Sequence, residues 1–367
     1  MYKSTYLCYS KFPPNASPEK KFPVYKNNSL RTLAFLFPAM YNTLKEKTER
    51  MIPMRYGFGI DLGGTTVKIA FFEENGTMLD KWEIPTVREG GGEKILPDIA
   101  GAVDCYLEQK HIGKDQVLGL GIGVPGPVDG RGVVNRCVNL GWGVFNIAEE
   151  LSRLTDLPVK AGNDANVAAL GEFWKGGGQD FGSIVFITLG TGVGGGIVMN
   201  GQLLHGAHGS AAEIGHLILN REEAAACTCG NHGCAEQYCS ATGIVRLAKI
   251  RLAKDGATSA LRNYENLTCK DIFDEAKNGD GLAQAVLEEF YDYLGQLIGL
   301  ICSTLDPEAV VIGGGVSKAG AVILEGVARH SRRYTFHAAT GAKLLLASLG
   351  NDAGAYGAFK LALDAFG

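Results

Sequence analysis

The chain has 367 residues, 46% of them hydrophobic and 20% charged, and a net charge of -4 at neutral pH. That length exceeds the usual size of a single hydrophobic core, so two domains are expected. The slight negative charge offers nucleic acid no electrostatic attraction, and no run of about 18 apolar residues suggests a membrane-spanning helix. Nine cysteines are an odd number for a disulfide framework, and five of them (Cys8, Cys105, Cys137, Cys269, Cys302) are scattered without spacing. With no recognisable secretory signal, a reducing cytoplasm is expected, where clustered cysteines favour a metal over disulfides.

Residues 1–56 hold none of the 51 glycines but six of the 12 prolines. Ten Lys/Arg face three Glu there, a balance of +7 that leaves -11 for the remainder. The apolar "LAFLF" (33–37) is too short and too far from the start for a signal sequence. Residues 1–55 are therefore read as a disordered leader or start-site extension, with Met54 as an alternative start. A basic nucleic-acid arm is the weaker reading. An N-terminal α/β lobe is expected over 56–180 and a C-terminal α/β lobe with a cysteine knot over 181–367.

The segment 56–84 alternates apolar and polar residues through two strands, turning at Gly63-Gly64 and again at Asn75-Gly76. A second copy follows at 183–206: a slide of 127 positions places Leu62-Gly63 on Leu189-Gly190 and Ile69–Phe72 on Gly196–Met199. The turn Asn200-Gly201 then matches Asn75-Gly76 after a two-residue deletion. A strand, glycine turn and strand therefore occur twice, which points to duplication. Glycine turns let backbone N–H groups approach phosphate oxygens, and Asp61, at a strand end, could face a Mg²⁺ ion through water. Tight hairpins with no ligand remain the competing reading. No GxxxxGK[ST] is present. Gly190, Gly192 and Gly195 satisfy GxGxxG, but a strand follows where the dinucleotide motif needs a helix.

Residues 157–174 read as a short strand, Asn163-Asp164, and an amphipathic helix. A carboxylate there is often only a cap. It also stands at the carboxyl edge of a parallel sheet, where ligands of α/β folds bind, and could accept a proton from an alcohol attacking a γ-phosphate. In "CTCGNHGCAE" (227–236), Cys227, Cys229 and Cys234 supply three thiols, and tetrahedral zinc needs a fourth ligand. His232 and His216 both stand open for it. Residues 308–330 read as a buried strand, a turn at Gly313-Gly314-Gly315 against which adenine could lie, and a helix capped by Ser317.

In this order, "DLGGTTVK", "GVPGPV", "NLGW", "GNDANVAALGE", "GTGVGGG", "EIGH" and "CTCGNHGCAEQY" resemble the ROK (repressor, open reading frame, kinase) family, in particular its bacterial glucokinases. The likeness covers roughly residues 56 to 365. It implies a duplicated actin-like ATPase (ribonuclease H-like) fold, two lobes around a cleft. It also implies ATP-dependent phosphorylation of glucose with ATP, Mg²⁺ and a structural Zn²⁺, and a dimer or tetramer. Asp164 matches the family's catalytic base. Asn163, Glu213, His216 and Glu236 match sugar contacts, with Asn139 and Gly126 lining the pocket. Gly63, Gly64, Thr65, Thr191, Gly192 and Gly314 fall in ATP-binding turns, and His216 with Cys227, Cys229 and Cys234 matches the zinc site. One departure stands out: the family commonly has Gly before the Glu of this run, and this chain has Ala212. Another hexose (fructose, mannose, N-acetylglucosamine) is the alternative substrate. The rival class is a sugar-sensing repressor, which needs a winged helix-turn-helix that the proline-broken residues 1–56 do not offer.

Overall fold

The computed structural model describes residues 55–367. The leader read over 1–55 lies outside the described residues except for Arg55, which belongs to the fold. Its guanidinium pairs with the Glu74 carboxylate, and its carbonyl accepts from the Glu74 N–H at 2.9 Å.

The first half builds a five-stranded sheet. β1 (Tyr56–Leu62), β2 (Thr66–Glu73) and β3 (Met78–Pro85) form an antiparallel meander, and α1 (Ile95–Lys110) leads to β4 (Val117–Val124), parallel to β1. A separate hairpin of β5 (Val133–Cys137) and β6 (Trp142–Asn146) precedes α2 (Ile147–Thr155). β7 (Val159–Asn163) completes the order β3-β2-β1-β4-β7, and α3 (Asp164–Lys175) follows at once.

The second half repeats this plan. β8 (Ile184–Leu189), β9 (Val193–Met199) and β10 (Gln202–Leu203) form the meander. After α4 (Glu236–Cys239), α5 (Ala241–Lys254), α6 (Cys269–Lys277) and α7 (Gly281–Leu305) come β11 (Ala309–Gly313), α8 (Ala321–Ser331), β12 (Lys343–Leu346) and α9 (Ala353–Phe366). The sheet order β10-β9-β8-β11-β12 reproduces the first, strand for strand. Leu62 pairs with Val67 beside the first glycine turn as Leu189 pairs with Val193 beside the second. The repeat seen in the sequence is thus a repeat of topology. The outer hairpin turns differ: Asn200 and Gly201 both take positive φ (50° and 77°), as a two-residue turn requires. The Asn75 side chain instead accepts from the Thr77 N–H at 2.7 Å.

Strand alternation explains the layers. In β2, Ile69 and Phe71 join Phe58, Ile60, Ile99 and Val103 on the α1 side, while Ala70 and Phe72 face Ala355 and Phe359 of α9. Phe72 and Phe359 stack with ring centroids 4.7 Å apart; burying one such ring contributes about 2 kcal/mol. In β8, Val185 and Ile187 face α7, while Ile184 and Phe186 face Ala169 of α3. Between the sheets lie α3 and α9, packed on each other through Val167, Leu170, Ala358 and Leu361. Their backbones nearly touch: a Cβ on Gly357 would stand 1.7 Å from the Val167 carbonyl oxygen. The last helix of the second half therefore closes the first sheet, although the sequence boundary near 180 assigns it elsewhere.

One expected cap is absent. Ser317 does not begin α8; a short 3₁₀ turn over Val316–Ala319 intervenes, and the helix starts after Gly320, whose φ is 82°. The Ser317 hydroxyl donates back to the Gly314 carbonyl at 2.8 Å, closing the glycine turn rather than opening the helix.

Candidate active site

Strand β7 delivers Asn163 and Asp164 to the start of α3. Asn163 is the N-cap, its Oδ1 accepting from the Ala165 and Asn166 N–H groups at 3.0 and 3.1 Å. Its Nδ2 donates to the Gly126 carbonyl at 3.1 Å, which ties the loop after β4 to the helix start. Asp164 accepts from the Ala165 N–H at 2.8 Å. Asp164 is exposed at the surface, yet the protein around it displaces enough water to push its carboxyl up to about 6. That desolvation is the largest cause, and the charges of Asp61 and Glu213 add to it. The Ala165 and Asn163 hydrogen bonds, which favour the ionised form, only partly offset it.

The two glycine turns have similar frames. In the first, the Gly63 N–H donates to the Thr66 carbonyl at 3.0 Å and Thr86 Oγ1 donates to the Gly63 carbonyl at 2.8 Å. Gly64 and Thr65 are left exposed. In the second, the Gly190 N–H donates to the Gly192 carbonyl at 3.0 Å, leaving Thr191 exposed. Gly314, at φ 85°, packs against Leu189, where a Cβ would stand 2.5 Å from its carbonyl oxygen. A cavity of about 720 Å³ opens beside Thr191, lined by Thr242, Val245, Arg246, Lys249 and Ile250. Asp61 accepts from Lys68 Nζ at 3.3 Å. Lys68 escaped the sequence reading, although it is the one charge in "TVKIAFF" and stands opposite Asp61 in the β1–β2 register.

Asn139 is exposed in the turn joining β5 to β6, and Gly126, at φ 95°, lies against Cys137 of that hairpin. Cys137, grouped by spacing alone with the scattered cysteines, is close enough to Asp164 to feel its charge. Burial first, then that charge, raises its thiol pKa. Glu213 is exposed, its carbonyl accepting from the His216 N–H at 3.1 Å. The preceding Ala212 holds φ 66°, the left-handed region that a Cβ disfavours. The one departure from the family motif thus falls on a strained backbone position.

His216, Cys227, Cys229 and Cys234 present four donor atoms within 4.8 Å of one another, a cluster that could hold a metal ion. Cys229 Sγ is 3.6 Å from Cys234 Sγ, and His216 Nδ1 is 3.9 Å from Cys227 Sγ. All eight described cysteines are free thiols. His232 points elsewhere and donates from Nδ1 to the Glu223 carbonyl at 3.2 Å. Glu236, expected to face a sugar, has partners on both oxygens: Thr228 Oγ1 donates to Oε1 at 3.1 Å and the Val193 N–H to Oε2 at 3.0 Å. Spare lone pairs leave it able to accept further.

Comparison with known proteins finds relatives along most of the chain. A glucokinase of Halalkalibacterium halodurans is 44% identical over 308 residues, covering 83% of this chain and 93% of that one. The solved structure of a ROK family glucokinase from Streptomyces griseus in complex with glucose and AMPPNP is 33% identical, with a TM-score of 0.67 over 83% of this chain and 98% of that one. A ROK family transcriptional regulator, a homologue of the E. coli MLC protein, is 27% identical with a TM-score of 0.75, covering 84% and 78%. The ROK family model itself matches residues 57–365. With the motifs and the doubled sheet accounted for, the chain belongs to the ROK family.

Proposed function

We propose that the protein is a glucokinase, transferring the γ-phosphoryl group of ATP to the 6-hydroxyl of glucose. The observation that carries this reading is Asp164. In a chain 44% identical to a glucokinase, it stands at the junction of β7 and α3 within reach of the Asp61 and Glu213 charges, with a carboxyl raised to about 6, basic enough to take a hydroxyl proton and still ionised near neutrality. As the O6–phosphorus bond forms and the bond from phosphorus to the departing ADP oxygen breaks, Asp164 accepts the O6 proton. Asn163, Glu213, His216, Glu236, Asn139 and Gly126 would hold the sugar in a fixed orientation, and polar groups at fixed directions distinguish hydroxyl stereochemistry. Gly63, Gly64, Thr65, Thr191, Gly192 and Gly314 would hold the nucleotide, with the cavity beside Thr191 for its base and sugar. Asp61 would face the magnesium ion that accompanies ATP. Closing the lobes excludes water and limits wasteful hydrolysis.

The cysteine cluster fits zinc. Bonds of about 2.0–2.3 Å in a tetrahedron put ligands about 3.3–3.8 Å apart; the Cys229–Cys234 separation of 3.6 Å falls within that range and the His216–Cys227 separation of 3.9 Å just above it. Four protein donors would fill its shell, so the ion would hold structure and supply no chemistry. Among the described residues no helix is long and apolar enough to cross a membrane. A cytoplasmic location, a place in glycolysis and a dimer or tetramer belong to the same proposal.

A coupled assay over a panel of hexoses tests the reading. Glucose is expected to give the highest kcat/KM with ATP. A tenfold preference for fructose, mannose or N-acetylglucosamine would replace the substrate, and no phosphorylation of any hexose would remove the activity.

A further inference from the structure

The second phosphate turn and the cysteine knot meet at one carboxylate. Glu236 Oε2 accepts from the N–H of Val193, the residue after Gly192, and Oε1 accepts from the Thr228 hydroxyl. The turn lies so close that a Cβ on Gly192 would stand 2.3 Å from Glu236 Oε2. The start of α5, just beyond Glu236, grips the same turn: the Ala241 N–H donates to the Gly190 carbonyl at 2.8 Å, and Thr242 Oγ1 to the Thr191 carbonyl at 2.7 Å. Gly190, Thr191 and Val193 are thus all held from residues 236–242. Thr228 stands between the cluster cysteines Cys227 and Cys229, so its hydroxyl connects that knot to the turn.

We propose that Thr228 is a positioning residue for the nucleotide: its hydroxyl fixes the Glu236 carboxylate, which in turn fixes the Gly190–Val193 turn. Cys227 Sγ also lies 3.8 Å from Oε1, a long and weak contact; the Thr228 hydroxyl at 3.1 Å is the strong bond at that oxygen and selects one orientation of the carboxylate. The backbone N–H groups of the turn then keep one arrangement before nucleotide arrives, and less ordering is required on binding. This rests on the reading of the cleft as a site of phosphoryl transfer from ATP.

The test uses Thr228→Val, which keeps the shape without the hydroxyl, and Thr228→Ser, which keeps the hydroxyl. Losing one hydrogen bond of this kind predicts about a fivefold rise in KM for ATP and in the Kd for AMPPNP by calorimetry in the Val variant. Zinc content and melting temperature are expected to match the unsubstituted protein, and the Ser variant to restore nucleotide affinity. Unchanged nucleotide affinity in the Val variant overturns the proposal, as does equal impairment of both variants. Loss of zinc in the Val variant, or an effect confined to KM for glucose, overturns it too, since the hydroxyl would then serve the knot or the sugar. If the unsubstituted protein binds AMPPNP but phosphorylates no glucose, the glucokinase reading fails, while the calorimetric comparison still decides the role of Thr228.

Discussion

The pH dependence of catalysis gives the most direct test of Asp164. A carboxyl titrating at about 6 is roughly nine-tenths ionised at pH 7 and about one-tenth ionised at pH 5. A base works only when deprotonated, so kcat/KM for glucose is expected to fall about tenfold between those values, along an acid limb centred near 6. An ordinary aspartate would place that limb near 4. The causes of the shift can be separated. Glu213 raises the Asp164 pKa through its charge, so Glu213→Gln should move the limb to lower pH, whatever it does to sugar affinity. Asp164→Asn keeps the shape and removes the base; kcat should drop at least ~100-fold while glucose binding, measured by calorimetry, largely survives. Near-normal turnover in Asp164→Asn, or a limb near pH 4 in the unsubstituted enzyme, would refute the reasoning.

Two further outcomes are expected. Elemental analysis should find about one zinc per chain, lost in Cys229→Ser and His216→Ala and retained in His232→Ala, with weaker glucose binding wherever it is lost; metal-free active enzyme would end the ligand assignment. Ala212→Gly should relieve the left-handed strain at φ 66°, worth about 1 kcal/mol, and raise the melting temperature by about 2 °C; a lower melting temperature would show that the methyl group has a packing role.

The sequence discloses the repeat, the two inner glycine turns and the strand–Asp164–helix junction because each is local. Alternation, glycine pairs and an Asn cap all act within a few residues. It discloses less wherever position depends on a distant partner. The pairing of Asp61 with Lys68 follows from strand register, and the nearness of Cys137 to Asp164 from the β5–β6 hairpin folding back beside α3. Glu236 is the clearest case. The family likeness marks it as a sugar contact, but the bond to Val193 spans 43 positions and needs both the knot and β9 in place. Ser317 misleads for a local reason: its hydroxyl has a competing acceptor, the Gly314 carbonyl, three residues back, a use of serine that removes it from capping.

The placement of α3 bears on how such a cleft could work. Its first residue continues β7 of the first sheet, while its body packs on β8 and β9 of the second through Ala169 and Phe173. At its far end, Glu172 is fully buried. Its carboxylate accepts from the N–H groups of Gly177, Ser348 and Leu349 at 2.8, 3.0 and 2.9 Å, fixing the helix to the segment that leads into α9. Helix α9 in turn packs on the first sheet. Asp164 is therefore joined to the first sheet by chain continuity, and its helix to the second by packing. In the proposed transfer the proton acceptor would thus take its position from both sheets rather than from one.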